Sequence, residues 1–218
     1  MRRSGIARHL QGMELLHRAL AAPALAAASL ALLVGCAASA GSGDAVRFGE
    51  VYPQPPDGDV VGQGTVMDVG GEVELCLGGV AESYPPQCSG IPLAGWSWQG
   101  VDGSETSGDV QWGTYAVQGT YDGETLAVTA PPIMLALYDP MPLPDPTGGE
   151  PGKGVEASLL AINEELPDRL GDEYLTSWIE NGYLWVEVVW DDGTMQDAAD
   201  AEFGVDIVVV RSALRALQ

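Results

Sequence analysis

The chain has 218 residues, of which 9 are Lys or Arg and 31 are Asp or Glu, so its formal net charge is −22. This charge excludes proteins that bind nucleic acid or anionic lipid surfaces through clustered basic residues. The hydrophobic fraction of 46% is too high for a disordered acidic tail. The length allows one or two small domains.

Residues 1–35 have the composition of an export signal. Arginines at four positions (Arg2, Arg3, Arg8 and Arg18) precede an apolar run from Ala21 to Gly35. A run of about 15 residues is too short to span a bilayer permanently and has the length of a signal-peptide core. Met13 is an alternative start that leaves this interpretation unchanged.

The end of the apolar run, Leu33-Val34-Gly35-Cys36, resembles the lipobox of bacterial lipoproteins. The resemblance implies that Cys36 becomes the lipidated N-terminus of the mature chain. The alternative is an ordinary secretory signal with a chance cysteine. We therefore predict a lipoprotein anchored on the extracytoplasmic face of the cell membrane.

Removal of the signal excludes much catalytic chemistry. It leaves 5 basic and 30 acidic residues, a net charge of −25, and no histidine, since His9 and His17 both lie in the signal. Serine–histidine and cysteine–histidine nucleophiles and histidine metal ligands are therefore unavailable. Lys153 is the single lysine. We expect no enzyme, no cofactor and no metal site.

The next part of the chain predicts a tether followed by an all-β domain. Residues 36–59 are rich in Gly, Ser and Pro, which is typical of a flexible tether. Over residues 60–138 the apolar side chains recur with period two, and Asp122-Gly123 is a strong turn signal. The predicted strands cover residues 60–69, 73–77, 91–101, 111–121 and 125–129. We predict a small OB-like antiparallel β-barrel or a compact sandwich.

A linker and a mixed module follow. Residues 139–155 are dominated by proline and glycine and predict a linker. In residues 156–218, a helical stripe that Pro167 bends or ends comes first, then a hairpin around Asn181-Gly182. A second helix is expected from Thr194 as its cap to Gly204, followed by a buried strand. The order is α-β-β-α-β, and a module of this size should dock against the barrel.

Cys76 and Cys88 are the cysteines that remain after Cys36. In an exported protein two such cysteines predict a disulfide. A redox-active pair is the alternative, although the spacing is far from C-x-x-C. The segment around them, CLGxxxESYPPQC followed by GWxW, resembles a family of uncharacterised actinobacterial lipoproteins or exported proteins. That resemblance implies an exported or lipid-anchored location and a similar architecture, and it implies no assigned activity.

Aromatic and acidic side chains are the candidates for binding. Four aromatic residues, Tyr84, Trp96, Trp98 and Trp112, form a candidate platform for a glycan, a peptide or a proline-rich ligand. The alternative is that they fill the barrel core. An acidic group near the C-terminus has the chemistry to bind Ca²⁺, although it lacks EF-hand spacing, and a solvated acidic face is the alternative. Its members are Asp191, Asp192, Asp197, Asp200 and Glu202.

The function predicted from the sequence is that of a membrane-anchored, non-catalytic envelope lipoprotein that binds or scaffolds a partner. Its expected partners are the membrane, through the lipid, and a protein or envelope component, with basic character favoured by the net charge. An acidic-residue hydrolase acting on envelope glycans is the alternative, because two catalytic carboxylates can be far apart in sequence.

Overall fold

The computed structural model describes residues 46–140, 142 and 145–217, and this part of the chain forms one compact unit. The signal peptide, the lipobox with Cys36 and the first part of the tether lie outside the described residues. The fold is mainly β, with a closed five-stranded barrel, additional short strands and two helices. The prediction of a small barrel followed by an α+β module is confirmed.

Seven strands belong to the barrel half of the molecule. They are β1 (Asp59–Val69), β2 (Glu72–Cys76), β3 (Ile91–Ala94), β4 (Glu105–Ser107), β5 (Val110–Tyr121), β6 (Leu126–Val128) and β7 (Ile133–Met134). Strand β1 pairs with both β2 and β5, β2 with β3, and β6 with β5, all antiparallel. Strand β3 runs parallel to β6 and completes the ring. This closed order, β1-β2-β3-β6-β5, is an OB-type barrel, so the sandwich alternative does not apply.

Alternation along the strands divides the barrel into an inner and an outer face. On β5, Tyr115, Val117 and Tyr121 point into the core, where Val66 and Leu75 also lie. Thr114, Gln118 and Thr120, of the opposite parity, lie on the outer face and are more exposed. Because this alternation has period two, the sequence predicts it without knowledge of the strand pairing.

The second half of the molecule contains both α-helices and the other four strands. They are α1 (Glu156–Leu170), β8 (Tyr174–Glu180), β9 (Tyr183–Val188), α2 (Thr194–Phe203), β10 (Val208–Ser212) and the short β11 (Arg215–Ala216). Strands β8 and β9 are antiparallel, and β9 and β10 are parallel across the crossover helix α2. Helix side chains, including Leu159, Leu166 and Met195, pack against Leu184 and Val186 in a second core.

Two local features of this module follow from backbone chemistry. Asn181 and Gly182 have φ angles of 49° and 79°, the left-handed conformation that a two-residue hairpin turn requires. Pro167 lies inside α1, which continues to Leu170 rather than ending at the proline. The proline removes one helical hydrogen bond, and the helix ends three residues later.

The ends of the chain cross between the two halves. Strand β11 pairs with β1, and Leu214 is buried in the barrel core together with Val189. Phe48, which the sequence placed in a tether, is fully buried in the second core, and its N–H donates to a Glu202 carboxylate oxygen at 2.8 Å. Residues 46–56 thus differ from the predicted flexible tether, because the Phe48 side chain completes the core under the helices.

A second difference concerns β3, which ends at Ala94 rather than continuing to residue 101. Gly95 has a φ of 76° and turns the chain out of the sheet. Trp96 and Trp98 therefore lie in a loop. No helix in the described ranges has the length and apolarity needed to cross a membrane.

Candidate functional site

Two adjoining cavities, of about 480 and 580 Å³, lie where the barrel meets the second module. Both are lined by Tyr121, Gly123, Glu124 and Glu173. We call the two cavities together the acidic cleft. Small-ligand and peptide sites favour such junctions between packed units and have volumes of this order.

One wall of the acidic cleft is the turn between β5 and β6. The Asp122 carboxylate accepts hydrogen bonds from the backbone N–H groups of Thr125 at 2.8 Å and Glu124 at 3.0 Å. These bonds stabilise the charged form and lower the pKa of Asp122. Tyr121 donates its hydroxyl hydrogen to the carbonyl oxygen of Gly123 at 2.9 Å. These hydrogen bonds fix the backbone of the turn, which therefore holds Glu124 at the cleft.

Glu173 forms the opposite wall. It ends the 3₁₀ turn Gly171–Glu173 that joins α1 to β8. Burial raises the pKa of the Glu173 carboxyl, the Trp190 backbone N–H opposes this by hydrogen bonding, and the nearby Asp172 charge adds to the rise. Burial also raises the pKa of Tyr121, with the Glu173 charge as the next cause. A half-buried carboxyl in a cleft with a raised pKa is typical of a functional group.

The rest of the acidic cleft contains aromatic, apolar and neutral polar side chains. Trp190 is fixed by a hydrogen bond from its indole N–H to the Gln54 carbonyl at 2.9 Å, and the Gln54 N–H donates in turn to Asp192 at 3.0 Å. The side chain of Tyr52 is 85% exposed at the rim. Neither Lys nor Arg lines the cavities in the part of the chain that the structure describes. The cleft thus combines carboxylates with apolar walls and lacks a compensating cation.

The predicted aromatic platform is divided into two groups. Trp112 is 8% exposed on the outer face of β5, where it packs with Met67 and Cys76. Tyr84 meets it edge to face, with ring centroids 5.4 Å apart, and is itself 72% exposed. Tyr84 belongs to the loop that covers this outer cluster, so most of Trp112 is not available to a ligand.

Trp96 and Trp98 pack elsewhere, against Tyr115 of the barrel core. The Trp96 ring centroid lies 5.1 Å from that of Trp98 and 5.5 Å from that of Tyr115. The Trp98 indole N–H donates to Asp68 at 2.8 Å. These are the contacts of core side chains, which favours the core alternative for both tryptophans.

The disulfide between Cys76 and Cys88 is present, as predicted, with a Cα–Cα distance of 6.1 Å. It ties the Tyr84 loop to the end of β2. Cys76 is buried and Cys88 packs against the same outer cluster. Its position is that of a structural bond.

The acidic group near the C-terminus is used within the fold. Asp191 accepts from the N–H groups of Met195 at 2.8 Å and Gln196 at 3.3 Å, and Asp192 accepts from the Thr194 N–H at 3.0 Å. Both carboxylates thus satisfy donors at the start of α2. The expectation that Thr194 caps this helix is wrong, because Gly193 occupies the cap position and the aspartates supply the acceptors.

Glu202 of the same group is also occupied. Its carboxylate binds Arg169 at 2.6 Å as well as the Phe48 N–H. Across the described residues, His, Cys, Asp and Glu side chains form no group of three or more able to hold a metal ion. The observed roles of Asp191, Asp192 and Glu202 are those of caps and ion-pair partners.

Sequence reasoning missed the acidic cleft. Glu173 and Glu124 lie in two turns that are far apart in the chain, and no motif spacing connects them. One weak signal existed: the predicted docking of the small module on the barrel implies a groove at the contact.

No protein-family model matches this chain, and no curated protein or solved structure is significantly similar to it. The resemblance of the cysteine segment to exported actinobacterial proteins therefore stays a prediction. Functional inference rests on the chemistry of the described surfaces.

Proposed function

We propose that the mature protein is a non-catalytic binding module, anchored to the outside of the cell membrane through Cys36, whose acidic cleft receives a basic segment of a partner protein. The observation that carries this proposal is the composition of the cleft. Carboxylates of Asp122, Glu124, Asp172 and Glu173 line it, and no cationic side chain does so among the described residues.

Lysine and arginine have the chemistry that this cleft lacks. Their aliphatic stems pack on apolar walls while the charged group reaches a carboxylate, and Tyr52 and Trp190 supply such walls. A cation over an aromatic face gains about 0.5–2 kcal/mol. The net charge of −25 that remains without residues 1–35 also attracts basic partners over distance.

The remaining chemistry supports binding rather than turnover. The mature chain has no histidine, and its single lysine, Lys153, is paired with Asp206 at 2.7 Å. Catalysis would therefore proceed without a histidine base and without an unpaired lysine. The lipid anchor adds stable attachment, since several acyl chains together hold a protein where one does not.

A hydrolase acting on envelope glycans is the second candidate, and Glu173 is the observation that favours it. A carboxyl with a raised pKa can donate a proton to a leaving oxygen, and Glu124 is a carboxylate in the same cleft. In that mechanism Glu173 is the acid and Glu124 the base or nucleophile.

Titration calorimetry with two capped tripeptide amides, Lys-Phe-Lys and Glu-Phe-Glu, tests the proposal. We expect binding of the basic peptide only, with affinity lowered about three- to tenfold by Glu124→Gln, which matches an ion pair of about 1 kcal/mol. Glu105→Gln, on β4 outside the cleft, is the matched control and should leave affinity unchanged. Equal binding of both peptides, or equal effects of both substitutions, contradicts the proposal.

Incubation of purified protein with cell-wall glycan separates the two candidates. Release of soluble fragments by the wild type, abolished in Glu173→Gln, establishes the hydrolase and removes the claim that the protein is non-catalytic. Unchanged glycan together with peptide binding supports the binding module.

A further inference from the structure

A second surface with unused binding groups lies on the three-stranded sheet, on the face opposite the helices. Trp178 of β8 and Trp185 of β9 are directly paired in register, and their rings are stacked with centroids 5.9 Å apart and planes within 6°. Arg211 of β10 lies near both rings, with its guanidinium carbon 5.5 and 5.8 Å from their centroids. We call Trp178, Trp185 and Arg211 the tryptophan shelf.

Arg211 differs from Lys153 and Arg169 in having no ion-pair partner among the described residues. Lys153 and Arg169 are each held by a carboxylate, at 2.7 and 2.6 Å. Within the described ranges Arg211 has no carboxylate within 4 Å and no hydrogen-bond acceptor, although Glu187 is its neighbour in register on β9. Its guanidinium donors reach solvent, so they are available to the acceptor atoms of a ligand.

A further donor on the same face lacks a partner. The Trp185 indole N–H is shielded from solvent and makes no hydrogen bond, whereas the Trp178 indole N–H donates to Glu180 at 3.2 Å. An unpaired buried donor costs about 1–3 kcal/mol. The unused polar groups of the shelf are therefore donors, and those of Arg211, which reach solvent, can bind the oxygen acceptors of a ligand.

The shelf forms one side of a cavity of about 470 Å³. Its rim carries two polar side chains, Thr147 and Asn181, and two carboxylates, Asp145 and Glu180, of which Glu180 accepts from the Trp178 indole. Parallel aromatic rings with a polar rim are suited to a sugar, whose C–H face packs on an indole while its hydroxyls bond to the rim. A planar fork of donors is suited to a carboxylate, which it can bind through two parallel hydrogen bonds.

We infer that the tryptophan shelf is a binding site for a glycan unit that carries a carboxylate, with the sugar ring on the tryptophans and the carboxylate on Arg211. This site shares no lining residue with the acidic cleft and, unlike the cleft, contains a cationic side chain, Arg211. It therefore goes beyond the proposed function, and each claim can fail without the other.

The test is calorimetric titration with a glucuronate-containing tetrasaccharide and with the same tetrasaccharide after its carboxyl groups are reduced to alcohols. We expect binding of the acidic form at least tenfold tighter than that of the reduced form. Arg211→Gln should remove this preference, and Trp178→Ala should weaken both sugars. Arg47→Gln, which also removes one positive charge from an exposed position, is the matched control and should change neither affinity.

Arg211→Lys keeps the charge and loses the two-pronged geometry, so it should bind the acidic sugar at least threefold more weakly than the wild type. This variant keeps the test decisive if Arg211→Gln fails to fold. Equal affinity for the acidic and reduced sugars, or equal losses in the Arg47 and Arg211 variants, overturns the inference. Absence of binding to either sugar also overturns it.

Discussion

Reduction of the Cys76–Cys88 disulfide should lower the stability of the barrel by a calculable amount. The two cysteines are 12 residues apart in sequence. In the chain-entropy description, opening a loop of this size removes about 3 kcal/mol of stability. For a folded body of this size, each kcal/mol shifts Tm by about 2–4 °C, so we expect a decrease of about 6–12 °C.

Differential scanning calorimetry of the wild-type protein with and without reductant is the measurement. Reduction keeps both sulfur atoms in place, so the cavity that Cys76→Ala would leave beside Trp112 does not contribute. The double variant Cys76→Ala, Cys88→Ala is the control, and its Tm should not respond to reductant. A decrease below about 2 °C on full reduction, verified by thiol alkylation, would refute the reasoning, because the loop would then be held by its packing alone.

Three further results are expected. Glu173→Gln should raise Tm near neutral pH and leave it unchanged near pH 4. Because the pKa of the wild-type Glu173 carboxyl is raised in the folded state, its ionisation lowers stability above that pKa and has no effect below the unfolded value of about 4.3. A Tm difference that is the same at both pH values contradicts this. Brief digestion with a nonspecific protease should cut first within residues 139–149, and the two fragments should co-elute because β11 pairs with β1; early cuts inside β1 or β5 would argue against it. Cys36→Ala should release the protein from membranes or leave its precursor uncleaved, and wild-type fractionation and migration of this variant would remove the anchor from the account.

Strand positions were predictable because burial in a small barrel imposes period-two alternation on the sequence. Asn181-Gly182 fixed the hairpin in advance, since few residues other than these adopt the two positive φ angles of its turn. A two-residue turn at these positions also places Trp178 opposite Trp185, but the register alone does not set how the two rings pack.

Other features depend on contacts between distant segments, and local patterns do not encode them. Phe48 follows a Gly- and Ser-rich stretch and gives no local sign of its burial under α2. The acidic cleft exists because the β5–β6 turn meets the turn at Glu173, and each turn alone is ordinary. The carboxylates of Asp191 and Asp192 suit both Ca²⁺ and a helix N-terminus, and only the backbone geometry, which places them on the first N–H groups of α2, decides between the two.

Site-specific photo-crosslinking in cells tests the central claim most directly. A photoreactive amino acid replaces Tyr52, at the rim of the acidic cleft, or Tyr84, a tyrosine on the disulfide loop; their exposures are 85% and 72%. The account predicts crosslinks from position 52 to a Lys- or Arg-rich peptide of a partner, lost when Glu124→Lys reverses the cleft charge, and none to that peptide from position 84. The same peptide captured equally from both positions, or capture from position 52 that survives the charge reversal, would contradict it.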